Sequence, residues 1–169
     1  MAQQPRIPLP DRLFQSAMTL AAARAWHRVS LADIAAEAKV GLDDLYGAYR
    51  SKAAILAALA RRVDSATLAV EDKEAAEASP RERLQDVLMR RLDALGKYKD
   101  AVASIVRSGG GGPVAALCLG GGLLRSMEWT LEAAGIGSNG VIGLFRAQAL
   151  AAIYASTVLV WLRDDSPDL

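Results

Sequence analysis

Apolar residues recur every three or four positions along this chain, in segments separated by Gly, Pro and Ser, and no segment alternates as a half-buried strand would. Leu13, Ala17, Leu20, Ala21 and Ala25 predict a first helix from Asp11 to about Trp26, preceded by a Pro-rich, frayed stretch over residues 1–10. Leu31, Ile34, Ala35 and Ala38 form the stripe of a short second helix. Ser30 is its N-cap candidate, and Asp33 stands three residues on as acidic partner for the first turn. Gly41 breaks the pattern, and LDDLYGAY predicts a short third helix. Ser51 is the next cap candidate. It opens a long Ala/Leu helix, KAAILAALARRVDSATLAVEDKEAAE, with Ile55, Leu56, Leu59, Val63, Ala66 and Val70 on its apolar side.

SPRE at 79–82 is a start signal: Ser79 caps, Pro80 suits the first helical position and Glu82 closes a capping box. Leu84, Val87, Leu88, Leu92 and Leu95 line one side of the helix that follows, which ends at Gly96. YKDAVASIVRS is a shorter helix. The glycines at 109–112 predict a connector, Pro113 restarts a helix, and Gly120–Gly122 interrupt it before LLRSMEWTLEAAG resumes. The last helix is expected from about Val141 to Arg163. The fold class is all-α, with three short helices in an N-terminal domain (1–50) and a helical bundle behind it (51–169).

Composition narrows the function. Twenty basic residues against nineteen acidic ones leave the chain near neutrality, so nothing drives it globally toward nucleic acid. One cysteine, Cys118, allows no intrachain disulfide, which fits a cytoplasmic protein, and its apolar context reads as a buried hydrophobe. The N-terminus has no apolar signal region. The most apolar run, Ala149 to Leu162, falls short of the roughly 20 residues of a membrane span. The single histidine, His27, has no catalytic or metal-ligand partners at recognisable spacing, and no phosphate loop is present. No enzyme activity, cofactor or metal is expected.

Residues 30–52 place two short helices around the tight turn AKVG, an arrangement that lays a second helix in a DNA major groove. The stretch VSLADIAAEAKVGLDDLYGAYRSKAAILAAL resembles the N-terminal domain of the TetR family of bacterial regulators over about residues 11–65. Ser30 opens the second helix, Ile34 and Ala35 form its apolar core and Val40 fills the turn. Leu45-Tyr46 lies on the recognition helix, Tyr49 takes the place of the usual Phe, and Ser51-Lys52 starts the fourth helix. The resemblance implies that Tyr46 and Lys52 touch DNA phosphates, a role their donors suit. The candidate DNA-contacting set is Ser30, Lys39, Gly41, Leu42, Asp43, Asp44, Tyr46, Arg50 and Lys52.

Departures from the family pattern matter here. Lys39-Val40-Gly41 stands where Gly-Val-Ser is common, Asp43 and Asp44 precede Leu-Tyr, and Gly47-Ala48 replaces the usual basic or His residues. Between Ser30 and Arg50, Lys39 and Arg50 face Asp33, Glu37, Asp43 and Asp44, a net −2. Because DNA affinity is mostly phosphate neutralisation, these acids either stabilise a helix start, where one can still accept from cytosine, or mark lost DNA binding.

In the second half, RRLDALGKYKDAV, SMEWTLEAAGI and ALAAIYASTVLVWLRDDSPD resemble segments of the TetR-fold, lipid-binding accessory protein of mitochondrial coenzyme Q biosynthesis, which does not act as a repressor. Leu88, Met89, Leu92, Tyr98, Val102, Cys118, Met127 and Trp129 are candidates to line an apolar ligand cavity, or else they fill the core. Leu131, Leu150, Ile153, Tyr154, Thr157, Val158 and Trp161 are candidates for a homodimer interface, since the resemblance implies dimerisation through the last two helices. Two functions follow. One is a homodimeric regulator on a palindromic operator, released by a small apolar or lipid-like ligand. The other is a lipid or isoprenoid carrier of quinone metabolism that does not bind DNA. The nearly complete helix-turn-helix favours the regulator.

Overall fold

In the computed structural model, backbone is described for residues 7–69, 78–109 and 112–164, with backbone alone over 112–121. Every described element is helical: α1 (Leu9–Ala23), a 3-10 turn (Trp26–Arg28), α2 (Leu31–Glu37), α3 (Leu42–Ala48), α4 (Lys52–Leu68), α5 (Pro80–Gly96), α6 (Lys99–Arg107), α7 (Gly112–Ala133) and α8 (Gly140–Trp161). They form two compact units, Met1–Leu59 with Asp100–Ala116, and Ala60–Lys99 with Leu117–Leu169. The first unit takes α4 as far as Leu59, and most of α6 with it.

The helix starts read from sequence are built with their expected chemistry. Ser30 Oγ accepts from Asp33 N–H at 3.0 Å and Asp33 Oδ2 accepts from Ser30 N–H at 2.8 Å. Ser79 and Glu82 repeat the exchange at 3.4 and 2.8 Å, with Pro80 at the first helical position. Ser51 Oγ accepts from Ala54 N–H at the start of α4. Bonds from Ser30, aided by Arg24, hold Asp33 below its ordinary pKa of 3.8, and bonds from Ser79 hold Glu82 below 4.5. An unfolded chain therefore binds these protons at higher pH than the folded one. The stability they contribute is full above the ordinary values and is lost as pH falls through the lowered ones.

Two expectations about helix bounds differ from the structure, and a third lies outside the described residues. First, α1 stops at Ala23 instead of continuing to Trp26. Ser104 of α6 holds the corner, accepting from Trp26 N–H at 3.2 Å and donating to Arg24 O at 3.0 Å, so a tertiary contact ends the helix that periodicity would extend. Second, the expected break at Gly120–Gly122 does not occur, and α7 is one backbone helix starting from Gly112. Glycine weakens a helix by about 1 kcal/mol without forbidding its dihedrals. Burial of Ser126, Met127, Thr130 and Leu131 further along outweighs that. Third, α4 is described only to Leu68, and the expected continuation over 70–77 lies outside the described residues. On α4, Ala66 is exposed and Thr67 takes the buried side, donating to Val63 O at 2.8 Å.

In the first unit, α1, α2 and α3 pack on one another. Leu13, Phe14, Ala17, Ile34, Leu45 and Ile55 are among its fully buried residues. In the second, Met127 and Leu131 of α7 pack with Ala147, Leu150 and Tyr154 of α8, and Leu84, Leu88 and Leu92 of α5 lie against them. A Schellman motif ends α7: Ile136 N–H reaches Leu131 O, Gly135 N–H reaches Glu132 O, and Gly135 sits at φ +70°. Arg83 caps the same end, donating to Ala134 O at 2.8 Å.

Candidate functional site

The turn between α2 and α3 is a second Schellman motif. Val40 N–H bonds Ala35 O, Lys39 N–H bonds Ala36 O, and Lys39 takes the left-handed position at φ 55°. That position explains why glycine is common there in the resembling family. A lysine in this conformation costs roughly 1 kcal/mol, so Lys39→Gly is expected to raise stability by a few tenths to 1 kcal/mol in urea denaturation. If Lys39 meets a phosphate, the same change lowers DNA affinity, separating the two effects in one variant.

Gly41 caps α3 without a side chain. The Asp43 carboxylate folds back over it, into the space that a side chain at 41 would take. Asp43 is thus a first-turn group turned toward the helix start, where an acid is favourable. Of the seven residues in α3, only Leu45 is buried. Leu42 is 57% exposed and Tyr46 63% exposed, and a Cβ at Gly47 would meet open space. The Arg50 guanidinium lies 5.9 Å from the Tyr46 ring centre. Leu42, Asp43, Asp44, Tyr46 and Gly47 therefore present an outward surface, with Lys39 before it and Arg50 after it. Tyr49 does the opposite: it is buried, and its hydroxyl donates to Pro10 O at 3.1 Å.

Two of the candidate DNA ligands point elsewhere. Ser30 spends its side chain on the α2 cap. Lys52 turns inward, donating to Trp26 O at 2.6 Å and Val29 O at 2.7 Å, with its ammonium 4.3 Å from the Trp26 ring centre. Burial lowers its pKa from the usual 10.5. Lys52 thus ties the start of α4 to the turn before α2.

The ligand-pocket candidates are divided between the two units. Leu88, Leu92 and Met127 belong to the core of the second unit, while Val102 is buried in the first. Met89 and Trp129 are 46% and 56% exposed, Tyr98 is half-buried and has partners, and the Cys118 side chain lies outside the described residues. A shallow indentation edged by Asp64, Leu68, Arg91, Ser126, Trp129 and Thr130 encloses no room for a water. Sequence reading missed its polar core. The signal was there: Arg91 falls on the apolar stripe of α5, four residues after Val87 and four before Leu95, and is 4% exposed.

Among the interface candidates, Leu131, Leu150 and Tyr154 are buried in the core of the second unit, Ile153 and Thr157 are exposed, and Val158 and Trp161 are half-buried. Val141, Ile142, Phe145 and Val160, all 67–71% exposed, extend the apolar face of α8 beyond the expected set. By length and composition this helix of 22 residues could cross a membrane, which the shorter run read from sequence did not reveal. Its other edge, Gly143, Ala147, Leu150 and Tyr154, is buried in the unit, and Arg146 interrupts its apolar run.

Residues 13–59 match the family described as bacterial regulatory proteins, tetR family. Among solved structures, a TetR transcriptional regulator from Nitrosomonas europaea ATCC 19718 is 28% identical, with TM-score 0.77 over 95% of this chain and 88% of that one. A TetR transcriptional regulator from Rhodococcus sp. RHA1 is 21% identical, with TM-score 0.70 over 94% and 86%. A tetR-family regulator from Streptomyces coelicolor is 20% identical, with TM-score 0.60 over 95% and 72%, and these last two speak to the fold alone. No curated protein matches the chain. The molecule is an all-α protein of TetR-like fold. Over residues 13–59 its N-terminal helices are similar to the N-terminal domain of the tetR family.

Proposed function

We propose that this protein is a cytoplasmic, homodimeric transcriptional regulator, a repressor, whose α3 reads a palindromic operator and whose second unit binds a small apolar or lipid-like effector. The observation that carries the reading is the outward surface of α3 on a matched tetR-type domain: its Leu42 and Tyr46 are more than half exposed while Leu45 anchors the helix. A packed three-helix head has no structural use for a solvent-facing Leu and Tyr on one short helix. Both suit contact with bases and phosphates. The inward turn of Asp43 makes its charge a helix-stabilising feature, leaving Asp44 as the acid that weakens phosphate attraction. No observation favours the carrier reading, and the 28% identical structure reported above is that of a regulator.

The exposed apolar face of α8 supports dimerisation, because contiguous apolar surface of this kind is usually covered by a partner. Phe145→Glu is expected to convert a dimer to a monomer in light scattering and to weaken operator binding more than tenfold, since one head then binds alone. A dimer that survives this change would remove α8 from the interface. Binding itself is tested by titrating genomic fragments around the protein's own gene at several salt concentrations. Log affinity is expected to fall with log salt, and Lys39→Ala and Arg50→Ala each to lower that slope by about 1. Asp44→Thr is expected to tighten binding. Absence of specific binding at any salt, for the unchanged chain and for Asp44→Thr, would leave the head a scaffold only.

A further inference from the structure

The second unit holds a buried polar cluster that neither the DNA-binding head nor the apolar core requires. Arg91 on α5 is 4% exposed, and its Nη1 donates to Asp64 Oδ1 on α4 at 2.5 Å. Ser126 on α7, 1% exposed, donates to the same Asp64 oxygen. Beneath them the Arg91 guanidinium lies 5.1 Å from the ring centre of Tyr154 on α8. The cluster joins four helices, yet it is incompletely satisfied: the Arg91 Nε–H and the Tyr154 hydroxyl are buried with no hydrogen-bond partner among the described residues. Burial holds the Tyr154 phenol above its ordinary pKa, so it is a neutral donor.

Buried donors are rarely left unmet in a finished core. A guanidinium binds a carboxylate best through a two-bond fork, and the edge that carries Nε is one such fork. Asp64 occupies Nη1 and leaves Nε unused. Asp64, with a side chain 21% exposed, is the group nearest to solvent in the pair. The indentation above the cluster is edged by Leu68 and by Trp129, which is 56% exposed, beside Thr67 and Thr130, so an apolar body arriving with its head inward meets two apolar side chains at the rim.

We propose that Arg91 anchors an effector that is a monocarboxylate on an apolar body, and that the incoming carboxylate competes with Asp64 for the guanidinium. Two carboxylates cannot share one buried cation without repulsion, so the ligand's arrival drives Asp64 outward. Asp64 bonds α4 to both α5 and α7 at this cluster, and α4 is continuous back to Lys52. Ligand binding thus loosens the helix that follows the DNA-binding head. This identifies the effector class within the regulatory reading above and rests on it.

The test uses the full chain with decanoate and decanol, which share a tail and differ in head group, titrated by calorimetry. Decanoate is expected to bind at least tenfold more tightly than decanol. Asp64→Asn, which keeps a hydrogen-bonding side chain and removes the competing charge, is expected to tighten decanoate binding about tenfold and leave decanol unchanged. Asp64→Asn combined with Arg91→Gln, a neutral pair, is expected to lose that gain and bind both alike. Equal affinity for the two ligands, no binding of either, or a double variant that still prefers decanoate would overturn the proposal. The ligand comparison on the unchanged chain needs no variant to fold. Operator binding is measured on the same samples: decanoate selectivity without DNA binding defeats only the regulatory reading, and DNA binding without decanoate selectivity defeats only this one.

Discussion

Lys52→Met is expected to destabilise the DNA-free protein by about 2 kcal/mol, although the residue stands at an exposed helix start in the sequence. Its ammonium bonds the Trp26 and Val29 carbonyls at 2.6 and 2.7 Å and lies 4.3 Å from the Trp26 ring centre. Hydrogen bonds from a charged donor contribute roughly 1.5–3 kcal/mol, and a partly shielded cation–π contact adds up to about 1. Partial exposure and the entropy of fixing a long side chain reduce that sum. Methionine keeps the stem and removes the charge, leaving two carbonyls to find water. A residue that served only a phosphate would change stability by no more than about 0.5 kcal/mol. Urea denaturation without DNA separates the cases: an unmoved midpoint would mean that the inward bonds contribute nothing. A lowered midpoint makes Lys52 a positioning residue, and any loss of DNA affinity must then be corrected for the head's own unfolding.

Arg91→Met is expected to cost more, about 3 kcal/mol, because it strands the Asp64 carboxylate with Ser126 as its remaining partner. The cost comes from the abandoned charge rather than from the strength of the pair. Replacing both members, Asp64→Leu with Arg91→Met, is therefore expected to restore most of the loss and can exceed the original stability. A double-mutant cycle in urea measures this, with unchanged m-values as the check that both variants unfold from the same compact state. A double variant as unstable as Arg91→Met alone would show that the pair is worth its burial. In that event the cluster is a structural clasp. A recovered double variant leaves the ion pair without a stability rationale, as expected of a group retained for binding.

The head of this protein was largely readable because its determinants are local. A Ser with an acid three residues on makes a capping box whatever packs around it, as Ser30 with Asp33 and Ser79 with Glu82 do. The turn between α2 and α3 was legible as a departure, Lys39 where glycine is common, and its meaning came with the dihedral: a left-handed residue closing a Schellman motif. Which side chains of the head face outward was only half legible. Tyr46 and Lys52 look equally available along the chain, yet one is 63% exposed and the other is drawn under Trp26.

By itself, then, the sequence determined the all-helical class, the helix starts and the helix-turn-helix, since periodicity, caps and turn residues act within a few positions of one another. Tertiary structure decided the rest. Ser104, some eighty residues away, ends α1 at Ala23, and no local pattern encodes a bond at that separation. Asp64, Arg91, Ser126 and Tyr154 are scattered over four helices, and each reads alone as an ordinary polar or aromatic residue. Only packing puts a guanidinium, a carboxylate and two hydroxyls together in a low-dielectric interior, where their charges and unmet donors acquire a consequence they lack in water.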